Sequence, residues 1–301
     1  MTISMNARNL VTLGTFDGLH RGHRRVLKAL RAQARRLGLR TLAVVFDVPP
    51  RSVLQGVAAQ LLSTPEERER LLRAAGVESV RILRFSGGLA RTSHQRFFSD
   101  FLIKRCRAAG ILVGPDFAFG RGRRGDVHWL REACREKGLH FSTPPLLTAR
   151  GGREKVSSSH IRTLLSHGRV EDAARLLGRP YCVRGRVVRG LGLGARIGLP
   201  TANIETDARR VLPRGVYAVR AKVGRRLLPA VCNVGVQPTL GGEGRLTVEV
   251  HIPRFSGPLY GRILEIRFER FLRGERRFPS LRALVRSIRL DVSQALRLLD
   301  A

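Results

Sequence analysis

This 301-residue sequence is short of acid: 23 Asp and Glu stand against 56 Lys and Arg, for a formal net charge of +33 at neutral pH. Aromatics are scarce as well, at 6%. The arginines are spread along nearly every segment, and there is no stacking motif, zinc-finger spacing or single basic arm of the kind that nucleic-acid readers use. The excess charge therefore reads first as a solvated, arginine-biased surface. A basic nucleic-acid-binding protein is the alternative from another functional class, because clustered cations release counterions from a phosphate backbone.

Cysteine is rare too. Cys106, Cys134, Cys182 and Cys232 are far apart and form no C-x-x-C pair, which argues against a redox motif or a zinc site and fits a reducing compartment. No run of about 18 apolar residues is present to span a bilayer, and Met1 to Leu10 lacks the charged-then-apolar order of a signal peptide. These absences predict a cytoplasmic protein with no membrane partner. No obvious nucleophilic Ser or Cys site is present either.

What the chain does have is 43% hydrophobic residues and enough length for two cores, at the usual size of roughly 100–200 residues per domain. The most informative stretch is Leu10 to Leu27, Leu-Val-Thr-Leu-Gly-Thr-Phe-Asp-Gly-Leu-His-Arg-Gly-His-Arg-Arg-Val-Leu. It reads as a buried strand, a glycine-bearing turn through Gly14 and Gly18, and the start of a helix whose free N–H groups make a phosphate seat. On that helix His20 and His23 share a face, with Gly22 between them leaving room for a nucleotide. Taken alone, the four-residue match is equally two solvated histidines.

Helical spacing then runs to Gly38, and Thr41–Phe46 is a second apolar strand, so strand, helix and strand form a βαβ unit of a parallel sheet. Ligands on such sheets lie beyond the carboxyl ends of the strands, where Gly14 and Asp47 fall. Ser63-Thr64-Pro65-Glu66 opens a further helix, and Val80–Phe85 and Gly110–Gly114 are further strands. The glycine and arginine loop Gly114-Pro-Asp-Phe-Ala-Phe-Gly-Arg-Gly-Arg-Arg-Gly-Asp126 is placed to close over phosphates and a ring, or is a solvated loop. Val156-Ser-Ser-Ser-His-Ile-Arg162 opens another helix, with Arg162 able to fork onto a phosphate.

Near Leu177 and Gly178 the apolar period changes from helical to two, which sets a domain boundary between 178 and 179. Alternation over Cys182–Arg189, Val216–Val223, Leu246–Ile252 and Ile263–Phe268 predicts a small antiparallel barrel, closed by a helix that Ser280 caps. Gly190-Leu-Gly-Leu-Gly-Ala-Arg-Ile-Gly-Leu-Pro-Thr-Ala-Asn203 lies between strands, so it is no dinucleotide fingerprint; it wraps a nucleotide phosphate or is merely a turn. In the first reading the Thr201 hydroxyl and Asn203 amide oxygen offer hard ligands for Mg²⁺.

Ordered motifs in both halves resemble one family. Gly14-Thr-Phe-Asp-Gly-Leu-His-Arg-Gly-His23, Gly114-Pro-Asp-Phe-Ala-Phe-Gly120 with Arg123 and Gly125-Asp126, and Ser157-Ser-Ser-His-Ile-Arg162 are similar to those of the bacterial bifunctional riboflavin kinase/FAD synthetases. So are Gly198-Leu-Pro-Thr-Ala-Asn203, Gly215-Val-Tyr217, Asn233-Val-Gly-Val-Gln-Pro-Thr239, Val248-Glu-Val-His251, Leu259-Tyr-Gly261 and Leu272-Arg-Gly-Glu-Arg-Arg-Phe278.

The resemblance implies an α/β nucleotidyltransferase domain with a Rossmann-like parallel sheet over 1–178, and a small antiparallel β-barrel riboflavin kinase domain with a C-terminal helix over 179–301. It implies phosphorylation of riboflavin to FMN and adenylylation of FMN to FAD, with ATP as co-substrate and Mg²⁺, in a monomer or weak homo-oligomer. Carried onto this chain, His20, His23, Arg162 and the base Glu249 are catalytic, and Thr201 and Asn203 hold the metal. Gly14, Phe16, Asp17, Gly18, Gly22, Asp116, Phe117, Gly120, Arg123, Ser157, Ser158 and Ser159 bind the first site's ligands. Gly194, Gly198, Pro200, Asn233 and Arg273 bind those of the second. Where the family carries Phe-x-Pro-His-Pro, this chain has Phe46-Asp-Val-Pro-Pro50, with Pro49 in place of the histidine. That departure keeps a monofunctional riboflavin kinase as the alternative.

Overall fold

A computed structural model describes residues 8–144, 156–190, 192–239 and 242–300. Strand β1 (Asn9–Gly14) buries Leu10, Val11, Thr12 and Leu13, as a strand covered on both faces must. A turn of 3-10 helix (Asp17–Leu19) leads into α1 (Arg21–Leu37), which buries Leu27, Leu30 and Ala34. Then come β2 (Arg40–Phe46), α2 (Pro50–Gln55), α3 (Pro65–Ala74) and β3 (Ser79–Leu83). Helix α3 begins on a capping box between Thr64 and Glu67. The short helices α4 (Gly87–Ala90) and α5 (His94–Arg96) and a π-helix (Phe97–Arg105) precede β4 (Ala108–Leu112). A small hairpin, β5 (Ala118–Phe119) and β6 (Gly125–Asp126), is followed by α6 (Val127–Glu136) and β7 (His140–Ser142).

Five of these strands form one sheet in the order β3-β2-β1-β4-β7, every neighbouring pair parallel. Its two faces pack separately. Leu10, Ala43 and Val45 meet Leu27 and Leu30 of α1 and Leu72 of α3, while Val11, Leu13, Val44 and Ile111 meet Phe97, Phe98 and Leu102 of the π-helix and Leu130 of α6. Helices thus cover both faces of a doubly wound sheet. The strand order reverses between β1 and β4, and the crevice beyond their carboxyl ends is where such sheets bind ligands. The turn after Gly14 and the loop from Gly114 both leave from there.

The second half begins with α7 (Ser158–Ser166) and α8 (Val170–Leu177), then β8 (Tyr181–Val188), α9 (Leu193–Arg196), β9 (Ala202–Glu205) and β10 (Gly215–Val223). Strands β11 (Arg226–Thr239), β12 (Gly242–His251) and β13 (Ile263–Arg273) and helix α10 (Leu281–Asp300) complete it. Six strands close a barrel in the order β10-β11-β12-β9-β8-β13, every pair antiparallel. Ala295 and Leu299 of α10 pack on Val216, Ala218 and Val231, which is why the first half of β10 is buried without alternation.

Two barrel strands escape the period-two reading. β9 is only four residues long and lies inside a motif dense with Gly, Pro and Thr, and β11 contains Pro229, which ordinarily argues against a strand interior. The chain divides into two compact units between Ser158 and Ser159, ahead of the change in periodicity, and α8 packs on β13 and β8.

Candidate active sites

In the first unit the chemistry gathers on one turn. Phe16 and Leu19 hold left-handed backbone, φ 48° and 41°, with Gly18 at 76° between them. Non-glycine residues in that region cost about 1–3 kcal/mol each and survive only where the surroundings fix them. Here Asp17 does part of the fixing: its buried carboxylate accepts from the Leu62 and Ser63 N–H groups and from the Ser63 hydroxyl, and the Ser63 Oγ accepts from Gly18 N–H at 2.8 Å. Ser158 Oγ donates to the Asp17 carbonyl at 2.9 Å, which brings the serine motif to the same turn.

His20 is not in the helix, as its spacing from His23 suggests, but is the N-cap of α1; its Nδ1 accepts from His23 N–H at 3.3 Å. The two imidazoles still come together, stacked with centroids 3.6 Å apart and planes at 17°. Gly22 is needed for that stack, because a Cβ there would lie 3.1 Å from the His20 ring. Burial, with His20 and Arg68 adding to it, holds the His23 imidazole well below its usual pKa, so it is neutral at pH 7. Its Nδ1 is enclosed and has no hydrogen-bond partner among the described residues. Gly14 lies under the Phe16 ring, 3.1 Å from where its Cβ would be.

Beyond β4, Asp116, Phe117, Arg123 and His128 line an open hollow of about 420 Å³. The β5–β6 hairpin that shapes it is folded tightly: a Cβ on Gly120 would meet the His94 backbone at 2.6 Å, and Asp126 caps α6 by accepting from Trp129 N–H. Within the 114–126 segment, Ala118–Phe119 and Gly125–Asp126 thus pair as a short hairpin with an exposed 121–124 tip. Ser157 and Ser158 are half-buried; on α7, Ser159 is exposed and Arg162 half-buried.

In the barrel the register does the assembling. Glu249 of β12 sits opposite Asn203 on β9 and opposite Asn233 on β11, so three polar side chains form a row across three adjacent strands. Burial raises the Glu249 carboxyl pKa, which suits a general base. Gly190 has no room for a side chain, since a Cβ would meet the Asn203 amide at 2.1 Å, and Gly194 backs Thr201 in the same way, 3.1 Å from its hydroxyl oxygen. His251 donates its Nδ1–H to the Pro200 carbonyl at 2.8 Å and so ties β12 to the Pro-Thr-Ala-Asn segment. Gly198 turns that segment at φ 74°. Gly190, Asn203, Glu205 and Thr247 line a hollow of about 300 Å³. A wider groove of about 630 Å³ runs between Ile197 and Leu281, Val285 and Leu290 of α10, with Arg282, Arg286 and Arg289 along it.

The comparisons with known proteins fall on this division. The FAD synthetase family profile matches residues 2–160 and the riboflavin kinase profile residues 177–299. The bifunctional riboflavin kinase/FMN adenylyltransferase of Pseudomonas fluorescens is 36% identical over 95% of this chain and 91% of its own length. That of Escherichia coli K12 is 37% identical over 94% and 90%. The chain belongs to the bifunctional riboflavin kinase/FMN adenylyltransferase family. A crystal structure from Streptococcus pneumoniae, described as a macrolide-efflux protein, has the same fold throughout, with a TM-score of 0.87 and 31% identity over 97% of this chain and 95% of that one. Among the described residues of the present chain no helix is long and apolar enough to cross a membrane.

Within the FAD synthetase module two motif residues turn inward. Asp17 and Gly18 are buried, and Asp17 spends its carboxylate on backbone N–H groups instead of facing the crevice. Within the riboflavin kinase module Arg273 is taken up by Asp291 of α10, at 2.8–3.2 Å. Sequence reading missed Arg68, Ser63 and His251. The hydroxyl cap at Ser63–Thr64 spoke for a helix start rather than for a brace behind the turn, and His251 stood in the Val248-Glu-Val-His251 motif without a role of its own.

Proposed function

We propose that this chain phosphorylates riboflavin to FMN in its barrel and transfers AMP from ATP to FMN in its α/β unit, with 1–178 and 179–301 as the two functional modules. The observation that carries the reading is the Asn203–Glu249–Asn233 row in one module together with the His20–His23 stack at the sheet's switch point in the other. Each step is a displacement at phosphorus, needing placed donors and no covalent enzyme intermediate.

In the barrel, Glu249 takes the proton from the terminal ribityl hydroxyl as its oxygen attacks the γ-phosphorus of ATP, and ADP leaves. The groove along α10 suits the flavin ring, with apolar side chains for its faces and arginines at its edge. In the first unit an FMN phosphate oxygen attacks the α-phosphorus and pyrophosphate leaves. His20 and His23 hold the charge that develops there, and Ser157 to Arg162 and Arg123 supply further phosphate donors. Asp116 and Phe117 line the hollow beyond β4 together with Arg123.

Mg²⁺ fits the donor chemistry of the kinase module. The hydroxyl of Thr201 and the amide oxygen of Asn203 are hard oxygen donors of the kind Mg²⁺ takes alongside phosphate oxygens. Thr201 Oγ1 and Asn203 Oδ1 would hold it, and when bound it would draw charge from the phosphates. The reading places the protein in the cytoplasm, acting on small molecules as a monomer or weak homo-oligomer. One chromatographic assay tests it: riboflavin, ATP and Mg²⁺ should yield FMN and then FAD. FMN without FAD over hours would leave the monofunctional kinase reading standing, and neither product would overturn both.

A further inference from the structure

Arg68 is fully buried, although it sits on α3 in the run Glu66-Glu-Arg-Glu-Arg70, whose composition belongs on a solvated helix face. Its guanidinium reaches four backbone carbonyls. It donates from Nη1 to Thr15 at 3.2 Å and to Phe46, from Nη2 to Asp47 at 2.9 Å, and from Nε and Nη2 to Ser63 at 3.2 and 3.1 Å. Those carbonyls belong to the chain just past β1, to the end of β2 and to the approach to α3. The balancing charge is Asp17, whose Oδ1 lies 3.9 Å from Nε, both side chains being 1% exposed or less.

We propose that Arg68 is a positioning residue for adenylyl transfer: from behind, it pins the left-handed Phe16–Leu19 turn to the ends of β1 and β2 and so sets where His20 and His23 meet the phosphates. The inference rests on the reading that the first unit makes FAD.

Three observations support it. A buried ion pair is weak as a stabilising device, since apolar replacement of the whole pair is often neutral or better; in some proteins such a pair is kept because it fixes one geometry. The geometry fixed here is costly, because the turn carries two non-glycine residues at positive φ immediately before the histidine cap. Lysine would supply the charge but cannot present a planar fork to carbonyls on three separate segments, so the residue type matches this task. Arg68 also acts electrostatically. With burial and His20 it keeps the His23 imidazole neutral, and the Asp17 carboxylate is already engaged with Arg68 and the 62–63 backbone.

The test uses the full chain with Arg68→Met and Arg68→Lys, measuring both reactions, thermal melting and the His23 ring titration by NMR. Arg68→Met should lower kcat for FMN to FAD by at least 100-fold while riboflavin phosphorylation stays within twofold, and His23 should titrate at higher pH because a nearby cation has gone. Arg68→Lys should leave the His23 titration near its original place yet still lose about tenfold in kcat, because the charge returns and the bridging does not. A pair that merely stabilises would lower the melting temperature and leave kcat and the titration alone. Adenylyl-transfer kcat within threefold of wild type in a folded Arg68→Met protein, with the titration unmoved, would overturn the proposal. If Arg68→Met does not fold, an unchanged kcat in Arg68→Lys does so. Should the wild-type chain make no FAD, the functional reading fails, and the His23 titration alone decides whether Arg68 governs the turn.

Discussion

The two units solve one chemical problem, placing donors around a phosphorus in transfer, by opposite structural means. The α/β unit concentrates its groups on a single turn bent into left-handed backbone and braced from behind by Asp17, Ser63 and Arg68. The barrel spreads its groups over three strands and lets hydrogen-bond register bring Asn203, Glu249 and Asn233 together. A register-built site tolerates loss of one side chain without moving the others, because the strands hold the frame. A turn-built site transmits any push on the backbone to every group it carries. Substitutions in the barrel should therefore act as clean chemical deletions, and those around the turn as mixed changes in chemistry and position.

The largest effect should come from Glu249→Gln. A general base contributes about 10²–10⁴ in rate, so riboflavin kinase turnover should fall by at least 10² with little change in riboflavin affinity and none in FMN adenylylation. The fold should survive. Burial raises the Glu249 pKa, so folding disfavours the carboxylate relative to the unfolded chain; the stability linked to this group is full at low pH and is lost as pH rises through the raised value. Once ionised, the buried carboxylate carries a desolvation cost that glutamine does not. The same shift predicts that the acid limb of the wild-type kinase profile lies above the ordinary glutamate range near 4.3, with activity rising as pH climbs through it. A drop of less than about tenfold, or 1.4 kcal/mol of barrier, would return Glu249 to the role of a polar strand residue.

On the other side of the comparison, His23→Ala should lower FAD formation by about 10², the cost of losing one preorganised donor to developing charge, while FMN formation continues unchanged. His20→Ala should cost more than its own donor, since His20 also caps α1 and supports the stacked ring. Equal loss of both activities in either variant would contradict two independent sites.

Much of this contrast was legible in the sequence, and the parts that were not share a cause. Strong periodicity and turn chemistry located β1, α1, β2, four barrel strands and α10, and the family resemblance singled out the histidines, the Pro-Thr-Ala-Asn segment and Glu249. What pattern cannot supply is the direction in which a charged side chain points. Arg68 and Asp17 look solvated or ligand-facing in the chain and are buried against each other in the fold. Arg273, which the resemblance gives as a ligand-binding residue, is paired with Asp291 of α10, 18 residues along the chain. Strand β11 was hidden by its proline and β9 by its brevity.

A smaller effect, about tenfold, is expected from Gly22→Ala, and its signs are what matter. Alanine is the better helix residue, by up to about 1 kcal/mol, so α1 should be as stable or more so. Its Cβ would press on the His20 ring at 3.1 Å and move the stack by a few tenths of an ångström. Melting temperature and FAD formation should therefore move in opposite directions, which no simple loss of folding can imitate. A variant with normal FAD synthesis would show that the turn tolerates such a push.

The smallest effect should come from restoring the family's histidine at Pro49. Pro49 caps α2 with φ −59° and ψ 124°, which any residue before a proline adopts without strain, and its carbonyl, which accepts from Ser52, is kept by every replacement. Pro49→His therefore leaves the local fold intact and loses only the entropic benefit of proline, about 0.4–1 kcal/mol. What it adds is one donor at the end of β2, to a site for which Arg123 and Arg162 are already proposed as phosphate donors. A single hydrogen bond to a charged group is worth roughly 1.5–3 kcal/mol when made well, and less where other donors share the phosphate. The expected outcome is a three- to tenfold lower KM for ATP in FMN adenylylation, a kcat within threefold and an unchanged kinase. A hundredfold gain in kcat instead would mean that the chain's own arginines do not cover the phosphates, and that the turn-built site of this protein runs far below what its geometry allows.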